Sequence, residues 1–174
     1  MRAQQLDPVA FSSLSTSHER TALAVAFAVL TDSSAAGDAV QDACIKAWQN
    51  LSELKDPECF AAWFGRIVRN AALDLRRRRP VAATDIAHLS VPFHCNPTAK
   101  LEELETRQRI DDALSLLDEQ TRTAVVLRYY DNLSSREIGQ ILDLSPAAVD
   151  TRLSRARHEL RQKLSTVNVN KRET

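Results

Sequence analysis

The sequence predicts an all-α protein of two small helical bundles joined by a flexible linker, the second bundle containing a helix-turn-helix. The chain has 174 residues but only three glycines, too few for the many tight turns of a sheet protein. Apolar residues recur at helical spacing on both sides of a stretch, residues 80–100, in which that periodicity disappears. The expected division is therefore a helical domain at 1–79, a linker at 80–100 and a helix-turn-helix domain at 101–174.

Two helices are predicted at the start of the first domain. Residues 17–30 form one, with Ser17 as a possible N-cap. Residues 35–51 form the other, because apolar side chains recur on one of its faces. Those side chains are Val40, Cys44, Trp48 and Leu51.

The third predicted helix, residues 57–79, has the clearest signals at both ends. Asp56 can cap it, and Pro57 suits the first helical position, where a missing N–H costs nothing. Four arginines and then Pro80 end it, which places cations at the negative end of the helix dipole. Its predicted buried stripe consists of Phe60, Phe64, Ile67, Ala71 and Leu75.

Pro80, Pro92 and Pro97 and an almost complete lack of charge are typical of a linker. His88, His94 and Cys95 lie in it without a fourth ligand or regular spacing, so no metal site is expected.

Cysteine usage and hydropathy bear on the compartment. The chain has three cysteines, Cys44, Cys59 and Cys95, with no C-x-x-C pair and no secretory segment before them, which fits reduced thiols in the cytoplasm. The longest apolar run, from Ala22 to Leu30, is too short to span a bilayer, so no membrane insertion is expected.

The second domain is predicted to end in a helix-turn-helix. A helix at 101–117, with Leu101, Leu104, Leu114 and Leu117 facing inward, is followed by one at about 119–131 that Asp118 can cap. Ser134 and Glu137 have capping-box spacing and open a short helix. After a turn at Asp143 and Leu144, Ser145 and Pro146 begin the last helix. Two helices joined by so short a turn are typical of this DNA-binding motif.

Charge is unevenly distributed although the formal net charge is zero. Residues 1–65 carry −4 and residues 100–150 carry −5, whereas residues 66–79 and 151–174 each carry +5. Two basic segments that each end a helical unit suggest two contacts with one polyanion, although solvated helix faces are the simpler alternative for either segment alone.

The last helix carries small polar residues opposite its apolar stripe. Val149, Leu153 and Ala156 lie on the stripe, whereas Thr151 and Ser154 lie on the opposite side with Arg155. Small side chains permit close approach to a major groove, and Arg155 can reach a base edge. Arg152, Arg157 and Arg161 flank the stripe and suit phosphates.

These segments resemble a known family. The stretch "LLDEQTRTAVVLRYYDNLSSREIGQILDLSPAAVDTRLSRARHELRQKL" is similar to region 4 of bacterial RNA polymerase sigma factors, and "GDAVQDACIKAWQNL" followed by "FAAWFGRIVRNAALDLRRRR" is similar to region 2. Two motifs in this order with a short linker are the layout of the extracytoplasmic-function (ECF) group. The resemblance implies an alternative sigma factor that binds core polymerase, recognises −35 and −10 promoter elements and assists strand opening.

The resemblance also assigns roles to matched positions. Residues that would dock on the β′ clamp helices of core polymerase are Asp38, Gln41, Asp42 and Lys46. Residues that would contact the −10 element are Trp63, Arg66, Arg69, Asn70, Arg76 and Arg77. Trp63 could stack on a base, although a core position is the alternative for it and is favoured for Trp48. The positions that the resemblance matches to −35 contacts are Asp150, Thr151, Ser154 and Arg155. Arg152 and Arg157, which flank the apolar stripe, would contact phosphates of the same element. The implied partners are core polymerase, through its β′ clamp helices and β flap, promoter DNA and an anti-sigma factor.

Three positions depart from the family pattern. Asp143 replaces the usual turn glycine, and Asp118 replaces the usual proline before the region 4 helix. Asp150 replaces the basic residue of the family's TVKS motif; an acid there repels phosphate but can accept a hydrogen bond from the cytosine amine. An altered −35 preference is therefore expected.

Two further hypotheses remain open. A conventional helix-turn-helix regulator would bind duplex DNA as a dimer, and a sigma-like protein without initiation activity would act as a scaffold or decoy. An enzyme is the least favoured class and no cofactor is expected, because the Gly-rich phosphate loops are absent and the four histidines have no catalytic partners at recognisable spacing. Those histidines are His18, His88, His94 and His158.

Overall fold

The computed structural model describes residues 7–78, 109, 110 and 112–170, with side chains up to residue 162. All regular structure in these ranges is helical. The N-terminal unit, residues 7–78, contains α1 (Pro8–Ser17), α2 (Glu19–Leu30), α3 (Ser33–Gln49) and α4 (Phe60–Arg78), with 3₁₀ turns at Leu51–Glu53 and Pro57–Cys59. The C-terminal unit, the described residues from 109 onward, contains α5 (Glu119–Tyr130), α6 (Ser135–Leu142) and α7 (Pro146–Asn170).

The start of the chain departs from the sequence prediction. Helix α1 was not predicted, although Asp7 caps it by accepting a hydrogen bond from the Val9 N–H at 3.0 Å. The prediction of Ser17 as the cap of the next helix is wrong, because its hydroxyl instead donates to the Leu14 carbonyl and completes α1. Helix α2 therefore begins at Glu19, without a side-chain cap.

The core of the N-terminal unit is formed by α2, α3 and α4, whose contacts are rich in alanine. On α4, burial of Phe60, Phe64 and Ala71 confirms part of the predicted stripe. Ile67 and Leu75 are only half-buried, and Val68 and Ala72 lie deeper. The stripe is shifted because α4 packs against α2 and α3 and also against α6.

The predicted apolar face of α3 is buried in part. Val40 and Leu51 belong to the core, whereas Cys44 and Trp48 are half-buried. Trp48 packs edge-on against Phe11 of α1, with ring centroids 5.2 Å apart, which agrees with a structural position for this tryptophan.

The helix-turn-helix has the predicted local chemistry. Ser134 and Glu137 form a complete capping box, and hydrogen bonds from Ser134 lower the pKa of the Glu137 carboxyl. The turn residue Asp143 adopts a left-handed conformation with φ 58°, which an aspartate tolerates better than most residues other than glycine. The Ser145 hydroxyl accepts a hydrogen bond from the Ala148 N–H at the start of α7.

The two units pack against each other along a seam that the sequence analysis did not predict. Helix α5 lies against α2, and α6 lies against α4. Leu114 and Leu117, predicted to face inward, are buried in the cluster that continues across this seam. The predicted inward positions Leu101 and Leu104 and the linker at 80–100 fall outside the described residues.

Nowhere in the described ranges is a helix both long and apolar enough to cross a membrane.

Two helical glycines provide a matched test of the helix-turn-helix turn. A Cβ on Gly139 would come within 2.4 Å of the Leu144 carbonyl oxygen, whereas a Cβ on Gly37 meets nothing within 4 Å. We expect Gly139→Ala to destabilise the protein by about 2 kcal/mol and to lower Tm by about 5 °C.

Gly37→Ala is the control and should raise stability by about 0.5–1 kcal/mol, because alanine loses less backbone entropy in a helix. Thermal and urea unfolding of the full chain would measure both. Equal melting temperatures for the two variants would contradict the expected close approach at Gly139.

Candidate nucleic-acid interface

One face of α3 is exposed and polar. Asp38, Gln41, Asp42 and Lys46 are all exposed, and their spacing places them along the same side of the helix. Buried alanines occupy the opposite side. Lys46 lies 3.8 Å from Asp74 of α4, so it is partly neutralised and leaves the outer face net acidic.

An exposed isoleucine interrupts this polar face. Ile45 is 58% exposed and borders a groove of about 320 Å³ between α1, α2 and α3. Sequence reasoning missed Ile45, although the helical periodicity of α3 places this apolar residue on the outward side. Ile45 therefore places exposed apolar surface among the charged side chains of this face.

The predicted −10 residues of α4 lie on two different faces. Arg66, Asn70 and Arg77 are exposed and are spaced along one side of the helix. Arg77 forms an ion pair with Asp74, and this contact lowers the pKa of the Asp74 carboxyl. Trp63 is half-buried at the edge of this side, where it packs on Phe60 with ring centroids 5.9 Å apart.

Arg69 and Arg76 lie on the other side of α4, toward the C-terminal unit. Arg69 donates two hydrogen bonds to the carboxylate of Glu119, at 3.0 and 2.9 Å, and both side chains are only 15% exposed. Arg76 is exposed and lies near Arg122 of α5. Burial lowers the pKa of Arg122, and the positive charge of Arg76 lowers it further.

The outward face of α7 carries small polar residues and an exposed arginine, as the sequence predicts. Thr151, Ser154 and Arg155 are exposed, and the Thr151 hydroxyl is turned back to the Ala147 carbonyl at 2.9 Å. Arg157 is exposed and donates to the Leu153 carbonyl at 3.3 Å. The stripe opposite is anchored by the buried side chains of Val149, Leu153 and Ala156.

Asp150 is exposed but engaged within the protein. Its carboxylate accepts a hydrogen bond from the Ser135 hydroxyl at the start of α6, and Arg128 lies 3.9 Å away. Arg128 also donates to the Ser135 hydroxyl. The acid thus links α5, α6 and α7, and Arg128 partly balances its negative charge.

Arg152 points toward α5 rather than outward. Its guanidinium lies 3.6 Å from Asp118 and 3.4 Å from the Thr121 hydroxyl. Although desolvation acts to raise the pKa of Asp118, hydrogen bonds from Thr121 and the charge of Arg152 lower it overall. Asp118 also caps α5 through the Thr121 N–H, as the sequence predicted.

Sequence reasoning missed the residues of the seam. Arg122 donates to the Ala28 carbonyl of α2 at 2.6 Å, and Arg20 pairs with Asp131 at 3.1 Å. Arg20 also donates to the Tyr130 carbonyl. The partners lie about a hundred residues apart, so no local pattern could have joined them.

Within the part of the chain that is described, no group of three or more His, Cys, Asp and Glu side chains could hold a metal ion. His88, His94 and Cys95 lie outside that part. Burial and the neighbouring Glu19 raise the pKa of the Cys44 thiol, so a thiolate is disfavoured at that position.

Comparison with known proteins assigns both units. The family model for sigma-70 region 2 matches residues 14–80, and the model for sigma-70 region 4 matches residues 101–160. A probable RNA polymerase sigma factor, RfaY of Xanthomonas campestris, is 33% identical over 89% of this chain, which spans 40% of that protein. The ECF RNA polymerase sigma factor SigW of Bacillus subtilis is 31% identical over 74% of this chain and 75% of its own length.

A solved structure has the same arrangement of helices. The sigma factor RpoE of Bartonella quintana, in complex with the anti-sigma factor NepR, superposes with a TM-score of 0.70 at 25% identity. The match covers 89% of this chain and 96% of that one. With both regions present in the same order, and with relatives of this identity, the chain belongs to the ECF group of RNA polymerase sigma factors.

Proposed function

We propose that this sigma factor makes three contacts through three separate surfaces. The outer face of α3 docks on the β′ clamp helices of core polymerase, the exposed side of α4 binds the −10 element, and the outward face of α7 binds the −35 element. The C-terminal unit also meets the β flap. The α3 face is the observation that carries this proposal, because a conventional helix-turn-helix regulator has no need for it.

The α3 face suits a basic protein partner. Asp38 and Asp42 supply exposed negative charge beside Gln41, and complementary charge steers association and fixes register. Ile45 supplies an apolar anchor that becomes buried on docking. Together they form a polar rim around an apolar centre, the usual anatomy of a protein interface.

The exposed side of α4 suits strand-separated DNA. Arg66 and Arg77 can bind backbone phosphates, and Asn70 between them can donate to and accept from a base edge. Trp63, half-buried against Phe60, can still offer one ring face to an unstacked base. Arg69 and Arg76 join this set only when the side of α4 that faces the seam is free.

The outward face of α7 suits a major groove. Thr151 and Ser154 allow the helix to approach closely, and Arg155 reaches past them toward base edges. Arg157 contacts phosphate from the flank of the helix. Recognition of duplex DNA by one unit and of separated strands by the other is what transcription initiation requires of a sigma factor.

The remaining expectations follow from this role. The protein acts in the cytoplasm, where core polymerase is found, and performs no catalysis of its own. An anti-sigma factor is a further proposed partner, supported by the Bartonella quintana relative that is in complex with one.

Reconstitution with core polymerase tests the proposal. Purified protein is mixed with bacterial core polymerase and assayed for co-elution and for run-off transcripts from genomic DNA of its source. A stable complex with discrete transcripts is the expected result. Sequence-specific binding to duplex DNA without a complex would instead favour a regulator, and a complex without transcripts would favour a decoy.

Charge reversal on α3 should weaken core binding. We expect Asp38→Lys/Asp42→Lys to reduce affinity for core polymerase at least tenfold, because two repulsive contacts replace two attractive ones. The control Glu53→Lys/Glu58→Lys changes the net charge equally at exposed positions in the 3₁₀ turns. Titration of labelled protein with core measures both, and equal losses would mean that net charge, not the α3 face, governs docking.

Asp150 should influence promoter choice. We expect Asp150→Lys to change which −35 sequences are transcribed, since it removes an acceptor for cytosine and introduces a donor for guanine. Ser135→Ala is the control, because it removes the hydroxyl that donates to Asp150 but leaves the carboxylate in place. Sequencing of transcript starts from a randomised −35 library gives the preference of each protein. An identical preference for Asp150→Lys and the wild type would show that Asp150 does not read DNA.

A further inference from the structure

We propose that Asp118 and Glu119, the acidic pair at the start of α5, act as an internal substitute for DNA phosphate. In the free sigma factor the pair holds one arginine from each DNA-binding helix, Arg69 of α4 and Arg152 of α7. Both arginines must leave the pair before the promoter can use them. This inference rests on the proposed function, which assigns Arg69 to DNA, and on the sequence expectation that Arg152 contacts phosphate.

The contact of Arg69 has the geometry of phosphate recognition. Two parallel N–H groups of the guanidinium donate to the two oxygens of Glu119, at 3.0 and 2.9 Å. Arginine binds carboxylate and phosphate in the same bidentate manner. Both side chains are 15% exposed, so Glu119 occupies the donor edge that Arg69 would offer to a phosphate.

The second carboxylate makes a looser contact with α7. Asp118 lies 3.6 Å from the Arg152 guanidinium, which also donates to the Thr121 hydroxyl. The pKa of Asp118 is lowered overall, so the carboxyl stays ionised near neutral pH. Two adjacent carboxylates thus bind the basic residues of two helices whose targets lie on different promoter elements.

The closed arrangement cannot be the promoter-bound one. The −10 and −35 elements lie about 25 base pairs apart, or about 85 Å of duplex. Here α4 of the N-terminal unit is joined to the start of α5 of the C-terminal unit by an ion pair of 2.9 Å. The 21 residues of the predicted linker, 80–100, can reach about 70 Å when extended, which supplies most of this separation.

The α3 face takes no part in this closed arrangement. Asp38, Gln41 and Asp42 are exposed, and Arg66 and Asn70 on the outer side of α4 are exposed as well. Docking on core polymerase can therefore come first. Separation of the units would then release Arg69 where the DNA enters. Arg152 and Asp118 both belong to the C-terminal unit, so this pair stays in contact until a phosphate displaces the carboxylate.

Small-angle X-ray scattering of the free full-length protein tests the inference. A compact chain of this length has a radius of gyration of about 16 Å, and separated units give a clearly larger value. We expect Glu119→Arg, which places two guanidiniums together, to increase the radius by several ångströms. The charge swap Arg69→Glu/Glu119→Arg should restore the wild-type radius, since the pair is re-formed with reversed polarity.

A second variant guards against simple misfolding. Asp118→Asn/Glu119→Gln removes both charges but keeps the helix cap, because asparagine caps as well as aspartate. We expect this doubly neutralised variant to bind a 20-nucleotide oligothymidylate about tenfold more tightly than the wild type does. Glu53→Gln/Glu58→Gln removes two charges from exposed positions in the N-terminal unit and should bind as the wild type does.

The outcomes separate the two proposals. An unchanged radius for Glu119→Arg, failure of the charge swap to restore the radius, or equal DNA affinity for the two neutralised variants would overturn the role of the acidic pair. Co-elution with core polymerase is measured on the wild type in parallel. Absence of co-elution would overturn the proposed function, whereas the scattering result would still test the role of the acidic pair.

Discussion

The contact between Ile141 and Gly65 sets how closely the two units of this sigma factor approach. A Cβ at residue 65 would come within 3.1 Å of the Ile141 side chain, so the absence of a side chain there lets α6 lie directly on α4. One turn further along α4, this spacing brings Arg69 to Glu119. Across the same seam, the Arg122 guanidinium donates a hydrogen bond to the Ala28 carbonyl, near the C-terminal, negative end of the α2 dipole.

This close packing divides the basic residues of α4 between two environments. Arg66 faces outward, whereas Arg69, three residues later, is tied to Glu119. Arg76 and Arg122, two like charges, are brought together at the seam, and burial lowers the pKa of Arg122 further than this repulsion alone does. Carbonyl oxygens of Ala28 and Leu117 compensate the buried guanidinium. The packing of α4 against the C-terminal unit therefore decides which of its arginines are exposed and which are held at the seam.

The sequence predicts the local features well because their causes are local. The Ser134–Glu137 capping box and the turn at Asp143 depend on residues within one helical turn of each other. The same signals were present for α1, where Asp7 and Pro8 repeat the chemistry of Asp56 and Pro57. The seam could not be predicted, because α2 and α5 contribute polar residues to it whose partners lie far away in the chain. Arg69 and Arg152 thus matched DNA-binding positions by sequence, yet in this structure they are bound to carboxylates.

A closed form that must open sets conditions on the chemistry of its interface. A large apolar interface would be costly to expose, whereas the net stability of an ion pair is small, because both charges regain water when they separate. The seam contains both kinds of contact, since the hydrophobic cluster continues across it beside the ion pairs at Glu119 and Asp131, so its opening exposes apolar surface that contacts with a partner must offset. Phosphate can then replace Glu119 on Arg69 with the same bidentate geometry, so that little hydrogen bonding is lost on the way to DNA. The carboxylate that restrains the free protein therefore also prepares the arginine geometry that DNA binding requires.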